Sequence, residues 1–136
     1  MPSSSPLPPP LLPRIVLGLA AVAFAGFGIA FAVQPLRLAA TIDIVLPTNT
    51  AKTDFIATYG GFQIGFAMFL ALCLRRADRL RLGLLASGLA VAGFAIARGL
   101  AIAMLGNVDP LLYRVLVFES VCAIAAFWAA RYAPRP

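Results

Sequence analysis

Five polar side chains lie where an apolar chain would not ordinarily carry them, and any function of this protein must draw on their chemistry. Arg98 and Glu119 each sit inside a long apolar run. Asp54, Tyr59 and Gln63 crowd the start of another, in the stretch Thr53-Asp54-Phe55-Ile56-Ala57-Thr58-Tyr59-Gly60-Gly61-Phe62-Gln63-Ile64-Gly65. A guanidinium and a carboxylate can form a two-pronged pair, and a phenol and a carboxamide can orient a polar head by hydrogen bonding. Such a set suits the binding of a hydroxyl, a carbonyl or an anionic oxygen. Acid–base chemistry fits less well, since a neighbouring cation opposes the raised pKa that a catalytic carboxyl needs. The sequence contains no histidine, the commonest general base and metal ligand. Cys73 and Cys122 have neither CxxC nor metal-site spacing, so both read as small packing groups. No catalytic residue, metal site or cofactor is predicted.

The elements that must position these residues follow from composition. A hydrophobic fraction of 62% with only 12% charged residues and a mean hydropathy of +0.95 leaves too little polar surface for a water-soluble fold. The bilayer is the expected solvent. A net charge of +6 would fit a nucleic-acid partner, but the basic residues gather at the ends of apolar runs rather than along one face, which argues for no nucleic acid. Apolar runs at 15–33, 54–74, 82–105 and 111–130 each meet the roughly 17 to 25 residues needed to span a membrane. The predicted fold is an all-α membrane protein, a four-helix transmembrane bundle of up-down-up-down order. Residues 14–132 form its four-span domain and the Pro/Ser-rich residues 1–13 a disordered tail. A signal peptide is the rival reading of the first run, which is long for one and ends at Gln34-Pro35 without a small-x-small cleavage site.

The connections differ in kind. A basic turn at 75–81 and a turn at 106–110, with Pro110 at a helix-starting position, are short enough to force antiparallel neighbours. The connector at 34–53 is longer and itself apolar, which predicts a cap lying on the interface, or else a slack loop. One side of the membrane receives Arg14, Arg75, Arg76, Arg79, Arg81, Arg131 and Arg135; the other receives Arg37, Lys52 and at most Arg114. The positive-inside bias then predicts a multi-pass protein of the inner (plasma) membrane with both termini cytoplasmic. Trp128 and Tyr132 read as interface anchors.

Helical rise sets depth. Arg98 precedes Leu105 by seven residues and Glu119 follows Leu111 by eight, which puts them roughly 10 and 12 Å inside the same end. Tyr59 and Gln63 enter from that end to roughly 7 and 14 Å, so four polar side chains are predicted to share one layer of the outer leaflet. A charge at such depth needs a partner, and Arg98 with Glu119 is the evident match; a register lock between two helices is the plainer role for it. Asp54 reads first as the N-cap of the second span and otherwise as part of the site. Asp54, Thr58, Gly61 and Gly65 share one helical face, and the pairs Gly61/Gly65 and Gly83/Ser87 have small-xxx-small spacing.

The chain from 15 to 131 resembles a bacterial family of small uncharacterised four-span membrane proteins, akin to the broader DoxX-like group. The resemblance rests on Thr53-Asp54-Phe55-Ile56-Ala57-Thr58-Tyr59-Gly60-Gly61, on Arg98-Gly99 and on Glu119. Family members tend to have glutamate where Asp54 stands and often arginine where Ile56 stands; the missing cation would weaken anion binding at this entrance. The resemblance implies fold and membrane placement, and no activity.

Three functions compete. The first is a non-enzymatic binding or scaffold protein whose polar layer (Tyr59, Gln63, Arg98, Glu119, with Asp54) holds an amphiphile, a lipid, a partner membrane protein or a second copy of the chain. The second is an enzyme on a lipid or isoprenoid, with Glu119 or Asp54 as acid–base. The third is a proton-coupled carrier, for which the chain has no inverted repeat.

Overall fold

A computed structural model of the protein describes residues 11–134. The predicted tail up to position 10, and Arg135, lie outside them. Residues 11–13 are the first turn of helix α1, Leu11–Val33, rather than tail. Pro13 is tolerated there because the N–H it lacks would have no partner in a first turn.

Proline and capping residues set the other boundaries. Pro35 cannot continue α1 and forces the residue before it out of the helical region, so Gln34 sits at φ −127°, ψ 54° and the six-residue helix α2, Pro35–Ala40, starts in a new direction. A turn follows in which Asp43 takes φ 58°. Helix α3, Asn49–Phe55, begins at Thr48, whose hydroxyl accepts the Ala51 N–H at 3.1 Å. Asp54 is therefore inside a helix and not its N-cap. Thr48 itself is extended, at φ −120° and ψ 162°, which turns its hydroxyl to the free N–H groups of the first turn. A π turn, Ile56–Gly61, joins α3 to α4, Phe62–Leu74.

After a 3-10 turn at Ala77–Arg79 comes α5, Leu80–Leu105, which stops at Gly106 with φ 60°. Helix α6, Pro110–Ala130, has proline at its first position, and the Asp109 carboxylate accepts the Leu111 N–H at 2.7 Å. Four helical stretches, Leu11–Val33, Asn49–Leu74, Ala77–Leu105 and Pro110–Ala130, are long and apolar enough to cross a membrane. The shortest has 21 residues, and at the helical rise it covers roughly 31 Å, about the hydrocarbon thickness. The described residues contain no strand; this is an all-α membrane protein.

The helices divide between two compact units, Gly18–Leu72 and the chain to Leu17 together with Cys73 onward. Within the first, α1 runs antiparallel to α3 and α4. Phe24 meets Phe66 edge to face at 4.8 Å, and Phe31 packs on Phe55 and Tyr59 at 5.7 and 5.6 Å. The connector at 34–53, predicted as a cap or a slack loop, is α2, the turn and an irregular stretch to Thr48, and its residues 49–53 belong to α3.

In the second unit α5 and α6 form an antiparallel hairpin. Gly88 lies against the Phe127 ring and Gly99 against Leu116. The Gly83/Ser87 pair is buried: a Cβ on Gly83 would stand 2.8 Å from that of Cys73 and 3.0 Å from Leu17. Cys73, only 2% exposed, is the small packing group expected of it.

Candidate functional site

The sequence-derived site residues fall in both units: Arg98 and Glu119 on the hairpin, Asp54, Tyr59 and Gln63 in the Gly18–Leu72 unit. The hairpin brings the first two together. Arg98 Nε donates to Glu119 Oε2 at 3.0 Å and Arg98 Nη2 to Oε1 at 2.9 Å. This is the parallel two-bond geometry that a planar guanidinium gives and an ammonium does not. The side chains keep 28% and 13% of their surface exposed. Next in the chain to Glu119, Ser120 satisfies its own hydroxyl by donating to the Leu116 carbonyl at 2.8 Å. Each oxygen of Glu119 thus accepts from Arg98, and the two bonds join α5 to α6.

The other three residues are arranged around the π turn. Phe62 N–H bonds to the Ala57 carbonyl five residues back, where an α-helix would reach four. Local sequence permits this: Gly60 and Gly61 relax the backbone, and Thr58 is a weak helix former. Tertiary packing selects it. A Cβ on Gly28 of α1 would stand 2.8 Å from Ile64 Cγ1, 2.9 Å from Ile64 N and 3.0 Å from the Gly60 carbonyl; one on Gly60 would meet Ala32 at 3.1 Å. Backbone touches backbone here.

The extra residue in the turn shifts the register of everything after it, which alters the faces predicted from uniform helical spacing. Uniform spacing puts Gly61 and Gly65 on one face with Asp54 and Thr58. Yet a Cβ on Gly65 would meet nothing within 4 Å, and one on Gly61 only its own Ile56 carbonyl at 3.9 Å. Gly60 makes the close approach instead. Tyr59 stacks on Phe55 at 4.5 Å and stays 37% exposed, so its ring belongs to an aromatic cluster. Gln63 is half-buried just past the turn and makes no side-chain hydrogen bond with a described residue.

Asp54 lines an open cleft of about 490 Å³ with Asn49, Thr50, Thr53 and Ala57. Its carboxylate has no ion-pair partner among the described residues. Thr53 donates its hydroxyl hydrogen to the Asn49 carbonyl at 2.8 Å, leaving its oxygen as an acceptor. The cleft therefore offers the Asp54 carboxylate and the Thr53 oxygen as acceptors, beside the Asn49 carboxamide and Thr50 hydroxyl that both donate and accept, and a head group with N–H or O–H donors suits the first two. Sequence reasoning missed Asn49, Thr50 and Thr53 because it began the span at Asp54; the signal that would have found them is Thr48 as a helix start.

Compared with known proteins, the chain matches the family described as domain of unknown function DUF4345 over residues 12–130. No curated protein and no solved structure matches it. The match covers most of the chain, and the protein belongs to the DUF4345 family.

Proposed function

We propose that this DUF4345 protein is a small, non-enzymatic binding protein of the membrane that holds the polar head of a lipid or other amphiphile where α3 passes through the π turn into α4. Asp54 accepts the head's donors, with Tyr59 and Gln63 as further polar contacts. The observation carrying this reading is the π turn, a rare element concentrated at functional sites, which here separates Asp54 from Gln63. Arg98 and Glu119 offer a second polar site on the hairpin. A scaffold role for that pair, presenting α5 and α6 to a partner helix or a second copy of the chain, is favoured by the engagement of both Glu119 oxygens.

Phosphatidylethanolamine and phosphatidylcholine share a net charge and differ in N–H donors, so their competition in nanodiscs tests the Asp54 cleft. Native mass spectrometry is expected to show phosphatidylethanolamine enriched on the wild type, and Asp54→Asn to reduce that enrichment roughly tenfold or more, the scale of one hydrogen bond to a charged group. A wild type that retains the two lipids equally would refute the reading.

The same proposal places the protein in the inner membrane of a bacterium, with both termini and the basic 75–81 connection cytoplasmic. It rests on the arginine distribution and on the resemblance that extends to the DoxX-like group. In a Cys73→Ala, Cys122→Ala background, Asn49→Cys is expected to react with a membrane-impermeant maleimide in intact cells. Reaction only after permeabilisation would reverse the orientation.

A further inference from the structure

The basic end of the α5–α6 hairpin carries a second concave surface, independent of the Asp54 cleft. Arg81 in the first turn of α5 and Arg131 at the end of α6 line a cleft of about 250 Å³ whose other walls are Leu85, Phe127 and Ala130. Each helix contributes an arginine at the rim and an apolar side chain one helical turn deeper, Arg81 above Leu85 and Arg131 above Phe127. Neither arginine has an ion pair or a side-chain hydrogen bond among the described residues. The nearby carboxylate of Asp78 is engaged by Arg76 at 3.3 Å.

Depth is marked by Trp128 and Tyr132, which pack edge to face at 5.2 Å and keep about half their surface exposed. Such aromatic pairs sit at the head-group level of a bilayer, so the rim of the cleft lies at phosphate depth. Two guanidinium groups there can take phosphate oxygens in two-bond geometry, and the apolar wall below them can take methylene groups. At about 250 Å³ the cleft is smaller than the roughly 300 to 1,000 Å³ that encloses a whole drug-sized molecule. It fits a head group whose tail runs outside, along the helices. Soluble phosphate would gain nothing from Leu85 and Phe127.

We propose that this cleft binds the phosphate of an anionic phospholipid, with the acyl chain laid along Leu85 and Phe127. Nanodiscs containing phosphatidylglycerol and phosphatidylcholine provide the test, read as the ratio of the two lipids retained after detergent exchange. Wild type is expected to retain phosphatidylglycerol preferentially, and Arg81→Gln with Arg131→Gln to lower that preference roughly tenfold or more, given the strength of two charge-assisted contacts. Arg75→Gln with Arg79→Gln removes the same charge from the exposed connection and should leave the preference within about twofold. Leu85→Trp fills the cleft without changing charge, and should reproduce the loss even if the arginine double variant fails to fold. Equal loss in the Arg75/Arg79 control would mean a diffuse basic field and overturn the site, as would an unchanged ratio in the Leu85→Trp protein. Displacement of the lipid by inorganic phosphate at equal concentration would assign the cleft to a soluble anion and overturn the proposal too.

Discussion

Glu119→Leu is expected to destabilise the protein by about 3 kcal/mol, the low end of the range for breaking a buried pair from one side, since the two side chains keep 28% and 13% of their surface exposed. Arg98→Leu should cost less. The asymmetry follows from what each variant leaves behind. Glu119→Leu takes both carboxylate acceptors from a guanidinium that cannot shed its charge, whereas a carboxyl group can. Arg98→Leu combined with Glu119→Leu should cost well below the sum of the single changes, since both charges leave together and both side chains become apolar. Arg98→Lys keeps the charge but loses the paired 3.0 and 2.9 Å bonds, and should fall between wild type and Arg98→Leu. Equilibrium unfolding in mixed micelles, run as a double-mutant cycle, measures all of these. Additive single changes would show that Arg98 and Glu119 do not stabilise the hairpin through one another.

Gly28→Val should be nearly as damaging, through sterics rather than charge. The new side chain would meet the Ile64 nitrogen at 2.9 Å and the Gly60 carbonyl at 3.0 Å, and neither backbone atom can withdraw without disturbing the π turn. A loss of about 2 to 3 kcal/mol is expected, the upper part of the range for overpacking. Gly65→Val is the matched control, because its Cβ would meet nothing within 4 Å; it should change stability by less than about 0.5 kcal/mol. Hydrogen exchange adds a local readout, since Gly28→Val should expose the Phe62 amide, whose bond to the Ala57 carbonyl defines the turn. If Gly65→Val proved the more damaging, the register deduced for α4 would be wrong and the face predicted by uniform spacing would be restored.

The sequence by itself determined the solvent, the number of spanning helices and the partner of Arg98. Run length and proline placement carried the first two: Pro35 and Pro110 mark boundaries because a residue without an N–H cannot sit deep in a helix. The pairing of Arg98 with Glu119 was legible because a connection as short as 106–109 allows only an antiparallel hairpin, so equal counts from the turn mean equal depth. Tertiary structure decided the rest of the site. Two polar residues, Thr48 and Asp54, competed to begin one helix. The conformation of Thr48 itself, at φ −120° and ψ 162° with its hydroxyl on the Ala51 N–H, settled it for Thr48. The face of α4 was lost to sequence reading because periodicity assumes one rotation per residue throughout. A π turn adds a residue without changing composition, and here it depends on Gly28 pressing against the Gly60 carbonyl from a helix some thirty residues earlier. Arg81 and Arg131 lie fifty residues apart in the chain and share a cleft only because α5 and α6 return to the same end of the hairpin; spacing along the sequence carries no trace of that distance.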